Sequence, residues 1–378
     1  MRQVCSELAV QALLVTGLLS GMHYEDEPAP KLFFSMSIYR HIAQNLDATG
    51  VLKASGMKLP DAHRYPGTEV FGSGSLEGAF QEAPQQDSTE IADEVYQGFR
   101  RMAMGQKGDQ DRLYQLFCED HLMCFIDDLM DMMIREQLKI TDPLYQFFLK
   151  LVLESDDRGP VKMGIAMLGL IRDRQSAEDI RILGRHDAFT LFAAVALTNI
   201  HEDPQQPLFE LARHVRGWGR IQMVERLLER PTPQIQEWLL RCGFRNTWNC
   251  SYQALACARH GGLKDALMVQ AVDDAMLESA GALLEAMLRG GLHEDLDAYL
   301  DAPQVIDRYL HHLGQRPTLA RQDEKHLQAL IPYLESRTQI ENETAAGALC
   351  EEQAINLLIE AQRLMQRMGG DAAALYTA

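Results

Sequence analysis

Apolar residues recur along most of this chain at helical rather than strand spacing. From Asp187 to Ile200 they fall at Phe189, Phe192, Ala193, Ala196, Leu197 and Ile200, one face of an amphipathic helix. Asp187 is its predicted N-cap, and Asp203-Pro204 opens the next helix in the same way. First helices of successive helix-turn-helix units are predicted to start near Pro160, Asp187, Gly217 and Asn249, a period of about thirty residues that suits helical repeats. Less regular units follow near Asp273 and Pro303. The run Val161–Ile171 is apolar on nearly every side, through Met163, Ile165, Met167, Leu168 and Leu170, and so predicts a helix covered on both flanks. A last helix, Thr344–Met368, keeps Glu351, Glu352, Gln353, Glu360, Gln362 and Arg363 on its wet side, as a capping element would.

The pattern breaks between Asp47 and Ser88, where Gly50, Gly56, Pro60, Pro66, Gly67, Gly72, Gly74, Gly78 and Pro84 cluster without either period. This segment reads as a long loop or linker with a short strand at Thr68–Phe71. The expected organisation is therefore N-terminal helices in residues 1–46 (Val4–Leu19 and Lys31–Leu46), a linker at 47–88, a helical cap or lobe at 89–158, and repeats over 159–378.

The stretches Gly159-Pro-Val-Lys-Met-Gly-Ile-Ala-Met-Leu-Gly-Leu-Ile171 and His186-Asp-Ala-Phe-Thr-Leu-Phe-Ala-Ala-Val-Ala-Leu197 resemble HEAT-like or armadillo-like repeats over about the middle third of the chain. That resemblance implies an all-α solenoid that binds a macromolecule rather than catalysing a reaction. Arg216-Gly-Trp-Gly-Arg-Ile221 and Glu237-Trp-Leu-Leu-Arg-Cys-Gly-Phe244 are also similar to uncharacterised bacterial proteins, some labelled limonene hydroxylases. The haem-thiolate cysteine signature, the Gly-x-Gly-x-x-Gly turn and the 2-His-1-carboxylate spacing that such chemistry would use are absent from the sequence.

Composition narrows the partners. A hydrophobic content of 46% is ample for a core, and the net charge of −18 repels phosphate backbones and anionic lipid over most of the surface. A protein or peptide, and a basic one above all, is a better-matched partner than nucleic acid or a membrane. Seven cysteines, an odd number with no Cys-x-x-Cys pair, suit a reducing cytoplasm. The apolar N-terminal stretch holds Glu7 and Gln11 and is read as a helix rather than a signal peptide. No cofactor is implied.

Three groups of residues carry candidate chemistry. Trp218, Trp238 and Trp248 share one stretch with Arg216, Arg220, Arg241 and Arg245, and between Arg213 and Arg245 seven arginines face three glutamates. Tryptophan and arginine dominate binding hot spots, so Trp218, Arg216, Arg220, Trp238, Arg241 and Arg245 form the candidate binding surface for a carboxylate-bearing peptide. The competing reading packs the indoles between repeats and pairs the arginines with acids on neighbouring helices. Asp127-Asp-Leu-Met-Asp131 resembles the Asp-Asp-x-x-Asp motif of class I isoprenoid synthases, which implies Mg²⁺ held by Asp127, Asp128 and Asp131. The same residues also make the wet face of an ordinary amphipathic helix, and Asp273-Asp274 with Glu278 is a poor second magnesium motif. Cys118, His121 and Cys124 could share a helical flank for zinc, although buried thiols are the commoner outcome. A third functional reading is an acidic binder that sequesters a basic protein through its whole negative face.

Overall fold

In the computed structural model, the structure describes residues 36–64, 85–106, 109–119, 122–246, 250–289, 296–339 and 349–375. The helical spacing of the sequence carries through: the chain is all-α, and among the described residues the only β contact is an isolated bridge between Leu46 and Leu52. The expected helix at Val4–Leu19, the strand at Thr68–Phe71, Trp248 and His121 lie outside the described residues. Contacts divide the chain into two units, 1–223 and 224–378, with the division falling inside a helix.

In the first unit the helices are α1 (Ile38–Gln44), α2 (Gln85–Ala103), α3 (Gln110–Cys118), α4 (Leu122–Arg135), α5 (Asp142–Glu154), α6 (Arg158–Leu170), α7 (Ala177–Leu183), α8 (Asp187–Ile200) and α9 (Gln205–His214). Helices α4, α6 and α8 pack side by side in one row. Helices α5 and α7 make a second row, with α1 against both. An aromatic knot ties α2, α3 and α5 together: the Phe99 ring meets Phe117, Phe147 and Phe148 edge-on at 6.5, 6.5 and 5.2 Å.

Helix α6 is the centre of this unit, and every residue from Arg158 to Gly169 is buried, as its all-round apolar pattern predicts. Three glycines five residues apart let it be approached from three directions, because five residues advance a helix by about 140° beyond a full turn. A Cβ at Gly159 would fall on the Phe117 carbonyl oxygen of α3. One at Gly164 would lie 2.7 Å from Val152 of α5, and one at Gly169 2.6 Å from the Ala196 backbone of α8. The spacing of small residues thus sets how closely three neighbours pack.

Within the expected loop or linker at 47–88, the described residues 47–64 form a loop with two 3-10 turns that is docked on the helices. Leu52, Leu59 and Asp61 are buried, and the segment is held against the helices by polar contacts. The Asp61 carboxylate accepts from Arg158 Nε and Nη2, each at 3.0 Å, and from the Arg158 backbone N–H at 2.7 Å. Asp157, the N-cap of α6, accepts from Gly159 N–H and pairs with Arg64 at 2.9 Å. His186 and His41 contact the carbonyls of Met57 and Gly56 at 3.1 and 3.3 Å, and Arg185 donates to the carbonyl of Gly50.

Helix α10 (Gly217–Leu228) carries the chain across the division. The second unit then holds α11 (Pro233–Trp238), a π turn (Leu239–Gly243), α12 (Ser251–Gly261), α13 (Leu263–Leu267), α14 (Asp274–Leu288), α15 (Ala302–Gln315), α16 (Arg321–Arg337) and α17 (Glu351–Leu375). Here α12, α14 and α16 stack in one row and α13, α15 and α17 in another, while α12–α13, α14–α15 and α16–α17 pair as hairpins. Ala302, next to Pro303, therefore starts a second-row helix, not the first helix of a unit as its position predicts. In α17, Ala354, Leu357, Ala361 and Leu364 are buried at heptad-like spacing, and Ile355 and Ile359 are exposed. No described helix is long and apolar enough to cross a membrane, and the described cysteines are free thiols.

Candidate functional site

The tryptophan and arginine stretch is distributed over both units. In residues 216–220 Arg216 is exposed and Trp218 half-buried, and Arg220 Nε donates to the Val215 carbonyl at 3.0 Å. In the second unit Trp238 is half-buried where α11 passes into the π turn, its ring edge 3.3 Å from where a Cβ on Gly243 would lie. Arg241 grips Asp273 with both terminal nitrogens, at 3.0 and 2.7 Å, and also donates to Glu237 at 3.0 Å. Arg245 donates to Glu278 at 2.7 Å and to the Arg241 carbonyl at 2.9 Å, its guanidinium 5.1 Å from the Phe244 ring centre.

These contacts fasten the π turn to α14. Asp273 is the N-cap of α14, accepting from Met276 N–H at 2.8 Å, and the Arg241 fork pulls its pKa down to about 2. For Arg241 and Arg245 the structure thus shows the pairing with acids of a neighbouring helix that the sequence left as one of two readings. A partner carboxylate would have to displace Asp273 or Glu278. At half-exposed positions such pairs contribute only about 0–1 kcal/mol each, so they bias the guanidiniums without locking them.

The suspected second magnesium motif is explained in the same way: Asp273 pairs with Arg241, Asp274 with Arg316 and Glu278 with Arg245. On α4, Asp128 accepts from Ser88 Oγ at 3.3 Å, while Asp127 and Asp131 face an open trough. Cys118 is half-buried at the end of α3, and burial together with the Asp157 charge pushes its thiol up to about 12, so it is held as a thiol. Among the described residues no group of three or more His, Cys, Asp or Glu side chains is placed to hold a metal ion.

The trough itself was not legible as a site. It measures about 720 Å³ and lies in the first unit where α4, α6 and α8 end. Met130, Met133, Ile134, Leu138, Ile140, Leu170 and Ile171 line it; Asp127 and Asp131 stand on the α4 side, and Arg172 and Asn199 on the other. The one signal in the sequence was Ile134, an apolar residue three positions after Asp131 and so on the same side of the helix as the acidic face.

No family model, curated protein or solved structure matches this chain.

Proposed function

We propose that the chain is a HEAT-like α-solenoid acting as a cytoplasmic binding scaffold for a polypeptide partner, with no cofactor. One observation carries this reading: in each unit, alternate helices stack into two rows, and in the second unit sequence neighbours pair as hairpins. Stacked helical arrays of this kind are used chiefly for recognition by an extended surface. The helix starts at Arg158, Asp187, Gly217 and Ser251 keep the expected period of about thirty residues. Arg216, Trp218 and Arg220 stay candidate anchors, since Arg216 is exposed and Trp218 half-buried. The test is calorimetry. A polypeptide recovered on the immobilised chain and then produced recombinantly should bind saturably, and absence of saturable binding by every polypeptide so recovered overturns the reading.

The placement of Asp127 and Asp131 beside apolar side chains favours a second reading, a magnesium-dependent isoprenoid-type enzyme. Against it, Asp128 is engaged by Ser88, and the downstream acids take arginines. Adding Mg²⁺ and pyrophosphate is expected to leave the melting temperature unchanged; a dose-dependent rise that Asp127→Asn abolishes would establish the enzyme reading instead.

A further inference from the structure

The geometry points to the trough at the ends of α4, α6 and α8 as a docking site for a short amphipathic polypeptide segment that carries basic residues beside its apolar face. This deepens the scaffold reading and rests on it, giving it a place and a partner chemistry.

Size comes first. At about 720 Å³ the trough is within the ~300–1,000 Å³ span of ligand sites, and its apolar lining would take several large side chains. Ile134 is 62% exposed, an apolar side chain of that lining left in water. Met130, half-buried, adds a side chain that can repack around different shapes.

Charge selects the occupant. Asp127 and Asp131 sit one turn apart on the same rim, and the C-terminal ends of three helices turn their partial negative charge toward the same place. An anionic amphiphile would meet this field unfavourably, whereas lysine or arginine one turn from an apolar anchor would complement it. Arg172 and Asn199 on the far rim offer donors to the carbonyls of the bound segment. The chain's net charge of −18 steers the same class of partner.

Backbone strain is concentrated here as well. Among the described residues, the two non-glycine positions with left-handed backbone are Gln137 (φ 50°) and Arg172 (φ 56°), and both end helices at this trough. Each occupies the position after a helix where glycine is preferred: Leu138 N–H bonds the Met133 carbonyl beyond Gln137, and Asp173 N–H bonds the Leu168 carbonyl beyond Arg172, both at 3.0 Å. A non-glycine residue there costs about 1 kcal/mol, and at Arg172 the result is a guanidinium on the rim.

The experiment uses the full chain and a labelled helix-forming peptide of about 15 residues, with leucines on one face and lysines on the other, followed by fluorescence anisotropy. The lysine peptide should bind saturably and more weakly as salt rises, and its glutamate counterpart should not bind. Ile134→Ser and Asp131→Lys should each weaken binding about tenfold or more with an unchanged melting temperature; Asp131→Asn should give a smaller loss in the same direction. Equal binding of the glutamate peptide overturns the charge assignment. Unchanged affinity in the Ile134 and Asp131 variants overturns the site. Saturable binding of decanoate with none of the lysine peptide assigns the trough to an anionic amphiphile and also overturns the proposal. If a partner recovered from extract binds Ile134→Ser at full affinity, the scaffold reading stands and the trough falls.

Discussion

Replacing Asp61 by Ala is expected to remove about 3–5 kcal/mol of folding stability, measured by urea denaturation. Asp61 is 2% exposed and takes three hydrogen bonds from one residue: two from the Arg158 side chain and one from its backbone N–H at the start of α6. The carboxylate therefore answers both a buried guanidinium and the positive end of a helix. Truncation leaves that guanidinium, itself 5% exposed, without its bidentate acceptor, and the penalty is mostly the cost of a charge stranded away from water. Since a domain's whole stability is about 5–15 kcal/mol, the variant should sit close to unfolding at 37 °C. The double change Asp61→Leu with Arg158→Met should recover most of the loss, because a buried pair can often be replaced by packed apolar groups at little cost. A loss under about 1 kcal/mol for Asp61→Ala would mean that residues 46–64 are not fastened by this contact.

Why this anchor was invisible in the sequence follows from distance along the chain. Asp61 and Arg158 are 97 residues apart, and the segment around Asp61 has no period to reveal which side is buried. Glycine and proline there signal only that no long helix forms; they are equally compatible with a docked strap and with a linker. The helices were legible because their starts are local chemistry. Asp157 caps α6 and Asp273 caps α14 through their own side chains, and the expected starts at Pro160, Asp187, Gly217 and Asn249 fall within two residues of those observed. One cap differs. Asp187 is the first residue of α8, and His186 does the capping, its Nδ1 accepting from Ala188 N–H at 3.1 Å.

The arginine-rich stretch shows a further limit. Residue type marked Arg241 and Arg245 as good anchors, but type alone does not say whether the carboxylate they meet is the chain's own. The answer was present as spacing. Arg241 reaches Asp273 across 32 residues and Arg245 reaches Glu278 across 33, about one period of the array. In stacked helices a charge one period downstream lies on the adjoining helix, so oppositely charged residues at that separation are candidates for an internal pair before a partner is invoked. The trough at the ends of α4, α6 and α8 escaped for the complementary reason. It is assembled from helix ends, where periodicity stops and backbone geometry takes over.

Between pH 7 and 5 buried groups act on the stability of the wild-type chain in opposite directions: His186 and His326, whose pKa values burial lowers, cost stability as pH falls, and Glu225, whose pKa burial raises, adds it. His186 is fully buried and burial pushes its pKa down to about 4 from 6.5, with Arg158 and His41 acting in the same direction and the Met57 carbonyl and Asp61 against it. Its Nδ1 accepts from Ala188 N–H, so the neutral ring donates through Nε2 to Met57, and a second proton would abolish the cap. As pH falls from 6.5 toward 4, the unfolded chain binds a proton that the folded chain refuses, and about 2 kcal/mol is lost between pH 7 and 5. Glu225 behaves oppositely. Burial lifts its pKa to about 7 from 4.5, with Arg226 opposing, and its Oε2 has no hydrogen-bond partner among the described residues. The folded chain takes up that proton first, so a similar amount, about 2 kcal/mol, is gained over the same interval. Glu225→Gln should therefore lose about 2 kcal/mol more than the wild-type chain does from pH 7 to 5. His186→Asn, which keeps a capping oxygen, should shift the wild-type dependence by a comparable amount in the opposite direction. Urea titrations at the two pH values decide it: a change from pH 7 to 5 equal to the wild-type chain's in both variants would mean that neither group is desolvated in the folded chain.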